Sequence, residues 1–169
     1  MNKIVLGLSG VVALRLFGLF IVLPMLSLYA LSKSGANSIS VGLIMGGYAL
    51  TQMIFMYPFG ALSDKFSRKK VVIVGLLIFI AGSIMCAIAT DATTLLIGRL
   101  LQGAGSIGSV FTAMISDFTS EEKRGHAMAI MGGSIAIAFM GAMMIGPIAG
   151  AAYGVDTLFW ITAGLALVS

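Results

Sequence analysis

The sequence contains few charged residues. They make up 9% of the 169 residues, while 59% of the residues are hydrophobic. An ordinary soluble domain is about a quarter charged and about half apolar. A chain of this composition could not cover its surface with polar groups in water, so a soluble globular domain is excluded. The sequence predicts a membrane protein that crosses the bilayer several times.

Side chains that catalysis and metal binding require are also scarce. Cys86 is the one cysteine, so no intramolecular disulfide can form, and His126 is the one histidine. No cluster has the spacing of metal ligands, and no serine has a neighbouring base. The basic residues lie in short loops rather than on one face of a domain, which argues against a nucleic-acid partner. We therefore expect no enzyme, no cofactor and no metal.

The long apolar runs predict an all-α bundle, because a bilayer requires about 20 apolar residues per helix. The predicted spans are residues 4–31, 41–62, 71–89, 95–118, 126–153 and 157–169. The sixth run is too short to cross a bilayer, and we expect it to be a truncated helix. Ser38 or Ser40 is the expected cap of the second helix, in which Gly42 and Gly46 are spaced for close helix contact.

The distribution of positive charge predicts the orientation. Only Lys33 falls on one side of the predicted spans. The opposite side holds Lys3, Lys65, Arg68, Lys69, Lys70, Lys123 and Arg124. Loops rich in Lys and Arg stay cytoplasmic. The N-terminus and the loops after the second and fourth spans are therefore predicted to be cytoplasmic.

The predicted spans contain two arginines and no central acid. An arginine at the centre of a membrane helix costs about 2.5–3.5 kcal/mol on insertion scales. Arg15 and Arg99 must therefore face the bundle interior or a wet cavity. A role in substrate binding or coupling is our interpretation, and the alternative is that they hold neighbouring helices together or reach towards the membrane surface.

Three motifs lie on three different elements. They are Gly60-Ala-Leu-Ser-Asp64-Lys65-Phe-Ser-Arg68-Lys69, Arg99-Leu-Leu-Gln102-Gly103 and Gly141-Ala-Met-Met-Ile-Gly146-Pro147-Ile-Ala-Gly150. In this order they resemble the loop between the second and third helices, the fourth-helix motif and the antiporter-type fifth-helix motif of the major facilitator superfamily. The chain departs from these motifs at Ser67 and Ala151, where glycine is usual.

Two further stretches narrow the resemblance. Leu14–Pro24 and Ile115–Thr119 resemble the YajR-type subgroup of bacterial inner-membrane drug:proton antiporters. The resemblance implies the N-terminal six-helix half of a twelve-helix carrier in the inner membrane. It implies proton-coupled efflux of hydrophobic small molecules by alternating access, driven by the proton gradient. The partners would be the lipid bilayer, a small-molecule substrate and the C-terminal half of the carrier.

The resemblance also implies roles for individual residues. A conformational latch would comprise Gly60, Asp64, Lys65, Arg68, Lys69 and Asp117. The alternative is that these charges only set the topology. The fifth helix would pack closely against a helix of the other half through Gly141, Gly146, Pro147 and Gly150. Plausible cavity residues are Arg15, Tyr29, Tyr48, Gln52, Phe55, Arg99, Gln102 and Phe111.

Two other functions stay open at the level of the sequence. One is proton symport of a sugar or another nutrient, against which the antiporter-type motif and the shortage of polar groups for sugar hydroxyls both argue. The other is a truncated membrane module that does not transport. The substrate, the residue that carries the proton and the oligomeric state are not determined by the sequence.

Overall fold

The computed structural model describes residues 3–105 and 107–169, and within these ranges the chain is almost entirely helical. The helices are α1 (Lys3–Leu31), α2 (Ser38–Lys65), α3 (Arg68–Ala87), α4 (Ala92–Ala104), α5 (Gly108–Asp117), α6 (Glu121–Tyr153) and α7 (Val155–Val168). The connections between them are short, and the tight turn between α6 and α7 is made at Gly154, where φ is +82°. The all-α fold class predicted from the sequence is confirmed.

Two helices begin at side-chain caps. Asn37 and Ser40 form a reciprocal capping box at the start of α2, so the cap is Asn37 rather than Ser38 or Ser40. Asp91 caps α4, where its carboxylate accepts hydrogen bonds from the Thr94 amide at 2.8 Å and the Thr94 hydroxyl at 2.7 Å. These bonds stabilise the charged carboxylate and lower the pKa of Asp91.

The prediction of one helix over residues 95–118 differs from the structure. The structure divides it into α4 and α5, and α4 already begins at Ala92. Glycine is a poor helix former, and Gly103, Gly105 and Gly108 surround the break. A side chain at Gly105 would also collide with α3, because its Cβ would lie 2.5 Å from the Gly75 carbonyl oxygen.

Four of the described helices are long and apolar enough to cross a membrane, namely α1, α2, α3 and α6. Apolar α7 has 14 residues and is shorter than a bilayer crossing of about 20 residues. Within the bundle α1 packs on α6 and α7, while α4 packs on α2 and α3.

Glycines allow the closest of these helix contacts. A Cβ on Gly82 of α3 would lie 2.5 Å from the Gln102 amide nitrogen and 2.8 Å from the Gly98 carbonyl oxygen of α4. Within the described ranges a Cβ on Gly42 or Gly46 would meet nothing within 4 Å, so close helix contact at these two glycines stays a prediction. The neighbouring Gly47 faces α4 instead.

The helices α2 and α6 are the most exposed of the long helices. Their exposed side chains are mainly apolar, including Met53 and Tyr57 on α2 and Met144 and Ile148 on α6. These four residues are between 68% and 83% exposed. Apolar surface of this extent is suited to lipid or to a further helical layer rather than to water.

Candidate functional site

A buried polar cluster lies where α2, α3 and α4 meet. Arg99 of α4 is 1% exposed, and its Nη1 donates a hydrogen bond to Gln102 Oε1 at 2.7 Å. The Gln102 amide in turn donates to the Ser83 hydroxyl of α3 at 2.8 Å. Arg99 Nε also reaches the Ile44 carbonyl oxygen of α2, at 3.4 Å. Arg99 and Gln102 of α4 together therefore join α4 to α2 and α3.

Arg15 of α1 lies at the break between α4 and α5. Its Nη2 donates to the Gly105 carbonyl oxygen at 3.0 Å, and its guanidinium carbon lies 4.5 Å from the centre of the Phe79 ring. The end of α4 leaves carbonyl groups without a partner in the helix, and Arg15 satisfies one of them. The guanidinium thus stabilises the helix break and also obtains a partner that the apolar core does not otherwise offer.

Tyr48 of α2 connects the two arginines. The guanidinium carbon of Arg99 lies 5.1 Å from the centre of the Tyr48 ring, and Tyr48 also lies near Arg15. In the described part of the chain, the Tyr48 hydroxyl and Arg15 Nε have no hydrogen-bond partner. Two cations and a phenol therefore share one buried site.

The other predicted cavity residues do not join this cluster. Phe111 is buried in an apolar cluster with Val110 and Ile107. Tyr29 lies at the other end of α1, where it contacts Asp156. Gln52 is partly buried and Phe55 is exposed on α2. Of the predicted set, the structure brings together Arg15, Tyr48, Arg99 and Gln102.

Sequence reasoning missed Ser83 as a member of the cluster. It lies in a long apolar helix, and its hydroxyl donates to the Phe79 carbonyl oxygen one turn earlier while it accepts from Gln102. The sequence shows only a single serine in an apolar helix. Such serines commonly bond to their own backbone, so this one gives no specific indication of a polar cluster. Only the crossing of α3 and α4 makes Ser83 a partner of Gln102.

The predicted latch residues meet at one end of the bundle. Arg68 Nε lies 2.6 Å from Asp117 Oδ2, and its Nη2 lies 3.2 Å from Asp117 Oδ1. Asp64 lies farther from Arg68, at 3.7 Å. The bidentate pair joins the start of α3 to the end of α5, and Asp64 adds the end of α2.

Lys65 and Lys69 take no part in this ion pair. Neither lysine forms a salt bridge within residues 3–105 and 107–169. Gly60 lies beside α5, where its Cβ would be 3.5 Å from the Ser109 hydroxyl oxygen. Arg68 Nη1 is buried and has no partner in the described ranges, so this guanidinium retains one donor for a further contact.

The antiporter-type motif faces α1 of this half. A Cβ on Gly146 would collide with the Ile21 carbonyl group, a Cβ on Gly150 would lie 3.2 Å from Met25, and one on Gly141 would lie 3.5 Å from Phe17. These three glycines thus pack on α1 within the described bundle. Their close contact with a helix of another half stays a prediction. Pro147 is exposed, so it lies on the side of α6 that faces away from α1 and from these glycines.

No group of three or more His, Cys, Asp or Glu side chains within the described ranges could hold a metal ion. Cys86 is buried. The chemistry that the described part offers is therefore electrostatic, with two buried guanidinium groups in the bundle and ion pairs at its ends.

Comparison with protein families places this arrangement in context. The model of the Major Facilitator Superfamily matches residues 8–169. The inner membrane transport protein YajR of Escherichia coli strain K12 is 42% identical over 160 residues, which are 95% of this chain and 35% of YajR. The class E tetracycline resistance protein of Escherichia coli is 31% identical over 153 residues, 89% of this chain and 37% of that protein.

A solved structure has the same fold. The human organic anion transporter MFSD10 superimposes with a TM-score of 0.79 at 20% identity, over 97% of this chain and 44% of the human chain. The chain thus spans well under half the length of these curated relatives. It corresponds to one helical half of the superimposed carrier fold.

Proposed function

The chain belongs to the Major Facilitator Superfamily, whose members are transporters and not enzymes, and on this premise we propose that it is the N-terminal half of a secondary carrier. The complete carrier would export hydrophobic small molecules by alternating access, driven by proton entry. It would lie in a bacterial inner membrane with its N-terminus in the cytoplasm. Its partners would be the bilayer, the substrate and a C-terminal half.

The observation that carries the proposal is the ion pair between Arg68 and Asp117. It ties α3 to α5, and Asp64 adds α2, at the end of the bundle where the positive charges collect. Its side chains are partly exposed, so the pair contributes only about 0.2–1 kcal/mol. A contact of this strength can break and re-form during a transport cycle, whereas a deeply buried pair would cost several kcal/mol to break.

The names of the relatives support drugs as the class of substrate, rather than sugars. The class E tetracycline resistance protein is named for resistance to tetracycline, and YajR is named as an inner membrane transport protein. The described spans offer few polar side chains on exposed faces, which suits a hydrophobic solute better than a sugar. Neither symport of nutrients nor a passive structural role has a comparable observation in its favour.

Proton coupling requires a titrating group outside the described spans. The acids in this half are Asp64, Asp91, Asp117, Glu121, Glu122 and Asp156, and each lies at a helix end or in a loop. The buried charged side chains within the described ranges are Arg15 and Arg99. We therefore assign the proton-carrying carboxylate to the C-terminal half.

The test is efflux by the complete carrier in cells that lack their main drug pumps. Cells loaded with tetracycline or a hydrophobic dye should lose it faster with the carrier than with an empty vector. A protonophore should abolish the difference. Efflux that continues without a proton gradient would overturn proton coupling, and the absence of any difference for a panel of hydrophobic compounds would overturn drug export.

A further inference from the structure

An open apolar groove lies on the bundle between α1, α3 and α5. Its volume is about 490 Å³, and Leu8 of α1, Leu76 of α3 and Met114 of α5 contribute to its walls. Ser169 lines the groove at the end of α7, and Lys69 lines it near the start of α3. The groove therefore runs from the end of α7 towards the end of the bundle that holds the Arg68–Asp117 pair. We call it the α7 groove.

Over its own length, α7 fills the space between the same helices. Ala166, in its last turn, is 2% exposed and packs with Leu19 of α1 and Phe79 of α3. One turn earlier, the Thr162 hydroxyl donates a hydrogen bond to the Gly18 carbonyl oxygen of α1. The helix α7 thus lies between α1 and α3, and the α7 groove continues this space beyond its last turn.

The walls of the α7 groove lack an outer apolar cover. Leu8 and Leu76 pack against the buried cluster around Val71, yet both are only partly buried. Ile73 and Leu77, also in the groove, are 47% and 57% exposed. Below the end of α7 the bundle therefore has room for one more apolar element along α3.

The length that α7 lacks matches the length of the groove. It has 14 residues, whereas a bilayer crossing takes about 20. Ala166 packs beside Leu76 and Ile80, and α3 and α7 begin at opposite ends of the bundle. From this level to Lys69 the distance along α3 is about 13 Å at 1.5 Å per residue. A continued α7 would reach Lys69 about six residues after Ser169 and would then be long enough to cross the bilayer.

Lys69 lies where this continued helix would end. Its neighbour Arg68 is paired with Asp117, whereas Lys69 has no acid within salt-bridge distance in the part of the chain that the structure describes. The last four carbonyl groups of an α-helix have no partner in the helix and form the negative end of its dipole. The opposite end of α7 already has an acid, Asp156, in its first turn. A lysine at the far end would match the dipole in the same way.

We propose that the α7 groove holds the next two turns of α7, and that the Lys69 ammonium binds the carbonyl groups at the end of this helix. The occupant is the segment of about six residues that follows Ser169 in the complete carrier. This rests on the proposed function in one respect, namely that the carrier continues beyond Ser169. The 35% share of YajR that the chain spans supports that continuation.

The first experiment identifies the occupant by disulfide cross-linking in the complete carrier. Val72→Cys places a thiol in the groove, and each of the six residues after Ser169 is replaced by cysteine in turn. After oxidation with copper phenanthroline, cross-linked product should form at positions three or four residues apart, because these share one face of a helix. The carrier with Val72→Cys alone corrects for Cys86, which is buried.

Val74→Cys is the matched control for this experiment. Val74 is 50% exposed and lies in the same turn of α3, but it faces a different hollow, towards Phe59 and Leu62 of α2. It should form no product with any of the six positions. Absence of product with Val72→Cys, or product at every position alike, would overturn the proposal.

The second experiment tests whether the groove is covered at all. Ile73→Trp should lower the melting temperature of the complete carrier in detergent by at least about 2 °C, because the larger ring would collide with the added turns. Val74→Trp should leave it unchanged. Equal melting temperatures would show that lipid fills the groove. A loss of stability with Ile73→Trp but no cross-link to Val72→Cys would show that another helix or a second copy fills it. Either result would overturn the proposal.

The third experiment concerns Lys69. Lys69→Met should lower the melting temperature by about 1–4 °C, and Lys69→Arg should restore most of the loss, because a cation near a helix C-terminus stabilises the helix. Lys70→Met, at the next position, is the control and should have no effect. Equal values for Lys69→Met and Lys70→Met would overturn the role of Lys69. None of these measurements requires transport, so a carrier with the expected cross-links but no efflux would overturn only the proposed function.

Discussion

At the scale of single residues, the buried arginines are stabilised by polar groups of the bundle itself. Arg99 has Gln102, the Ile44 carbonyl oxygen and the Tyr48 ring, and Arg15 has the Gly105 carbonyl oxygen and the Phe79 ring. A hydrogen bond to a charged group contributes about 1.5–3 kcal/mol, which is comparable to the cost of inserting an arginine. Each arginine therefore persists because other helices supply its partners.

The sequence left two roles open for these arginines, namely substrate binding or coupling and the joining of neighbouring helices. Both side chains are almost completely buried between helices, which corresponds to the packing alternative for their position. Their role in substrate binding or coupling stays a prediction. Because carbonyl oxygens and aromatic rings stabilise both guanidinium groups, neither arginine requires an acid beside it. Partners of this kind leave no charged residue in the sequence by which they could be recognised.

The first prediction at this scale concerns the crossing of α3 and α4. Gly82→Ala should destabilise the complete carrier by about 1–3 kcal/mol, because the added methyl group collides with the backbone of Gly98 and Gln102. The measurement is the thermal melting temperature in detergent. Gly164→Ala on α7 is the matched control, since a Cβ there meets nothing within 4 Å. Equal melting temperatures for the two variants would contradict the close crossing.

At the scale of elements, Asp117 of the predicted latch lies at the end of α5, beyond the break that follows α4. The short helix α5 begins after the glycine-rich break and ends at Asp117. Ser109 fastens the start of α5 to α2 by donating to the Met56 carbonyl oxygen at 3.0 Å. Asp117, at the end of α5, pairs there with Arg68 at the start of α3.

The second prediction tests the latch at this scale. Asp117→Asn and Asp64→Asn should each strongly reduce efflux by the complete carrier without lowering its level in the membrane, because both remove an acid that faces Arg68. The loss should be greater for Asp117, whose carboxylate is the nearer one. Efflux and membrane level are measured in the same cells, with Glu122→Gln as the control.

Two results would oppose this interpretation. Normal efflux by both neutral variants would show that these charges act only on topology. Low efflux that is fully explained by a low membrane level would show that the pair acts on folding. Partial recovery in the exchanged variant Arg68→Asp with Asp117→Arg would assign the effect to the pair itself.

At the scale of the whole molecule, exposed apolar faces lie on α2 and α6, which are the least buried of the long helices in the described bundle. The chain also spans only 35% of YajR. Coverage of these faces by the C-terminal half follows from the carrier architecture that we propose. Gly141, Gly146 and Gly150 of α6 face α1, and the exposed side of α6 near them carries larger side chains such as Met144.

The third prediction concerns orientation, which the charge distribution predicts. In the complete carrier, Ser32→Cys should react with an impermeant maleimide added to intact cells, and Ser120→Cys should react only after the membrane is opened. Both positions are exposed and lie at opposite ends of the helices. The reverse pattern would show that the N-terminus is outside and that the positive charges do not set the topology.

The sequence by itself determined the class of protein and most of the helices. Apolar runs of this length have no stable alternative to helices in a bilayer, and short charged motifs are readable because charge cannot lie in hydrocarbon. The family and the residues Arg68, Asp117, Arg99 and Gln102 could be identified from local spacing. The cap at Asn37 and the break in the fourth span were missed, because local competition between glycines, caps and helix propensity decides such boundaries.

Tertiary structure alone decided which faces meet. Gly141, Gly146 and Gly150 of α6 face α1, Gly47 rather than Gly46 faces α4, and Ser83 completes the Arg99 cluster. In a helix that is apolar all round, the sequence carries little signal about which side is buried, since lipid and protein interior favour the same side chains. The Tyr29, Lys33 and Asp156 contacts depend on residues more than 120 positions apart along the chain, and only the packing of α1 against α7 brings them together.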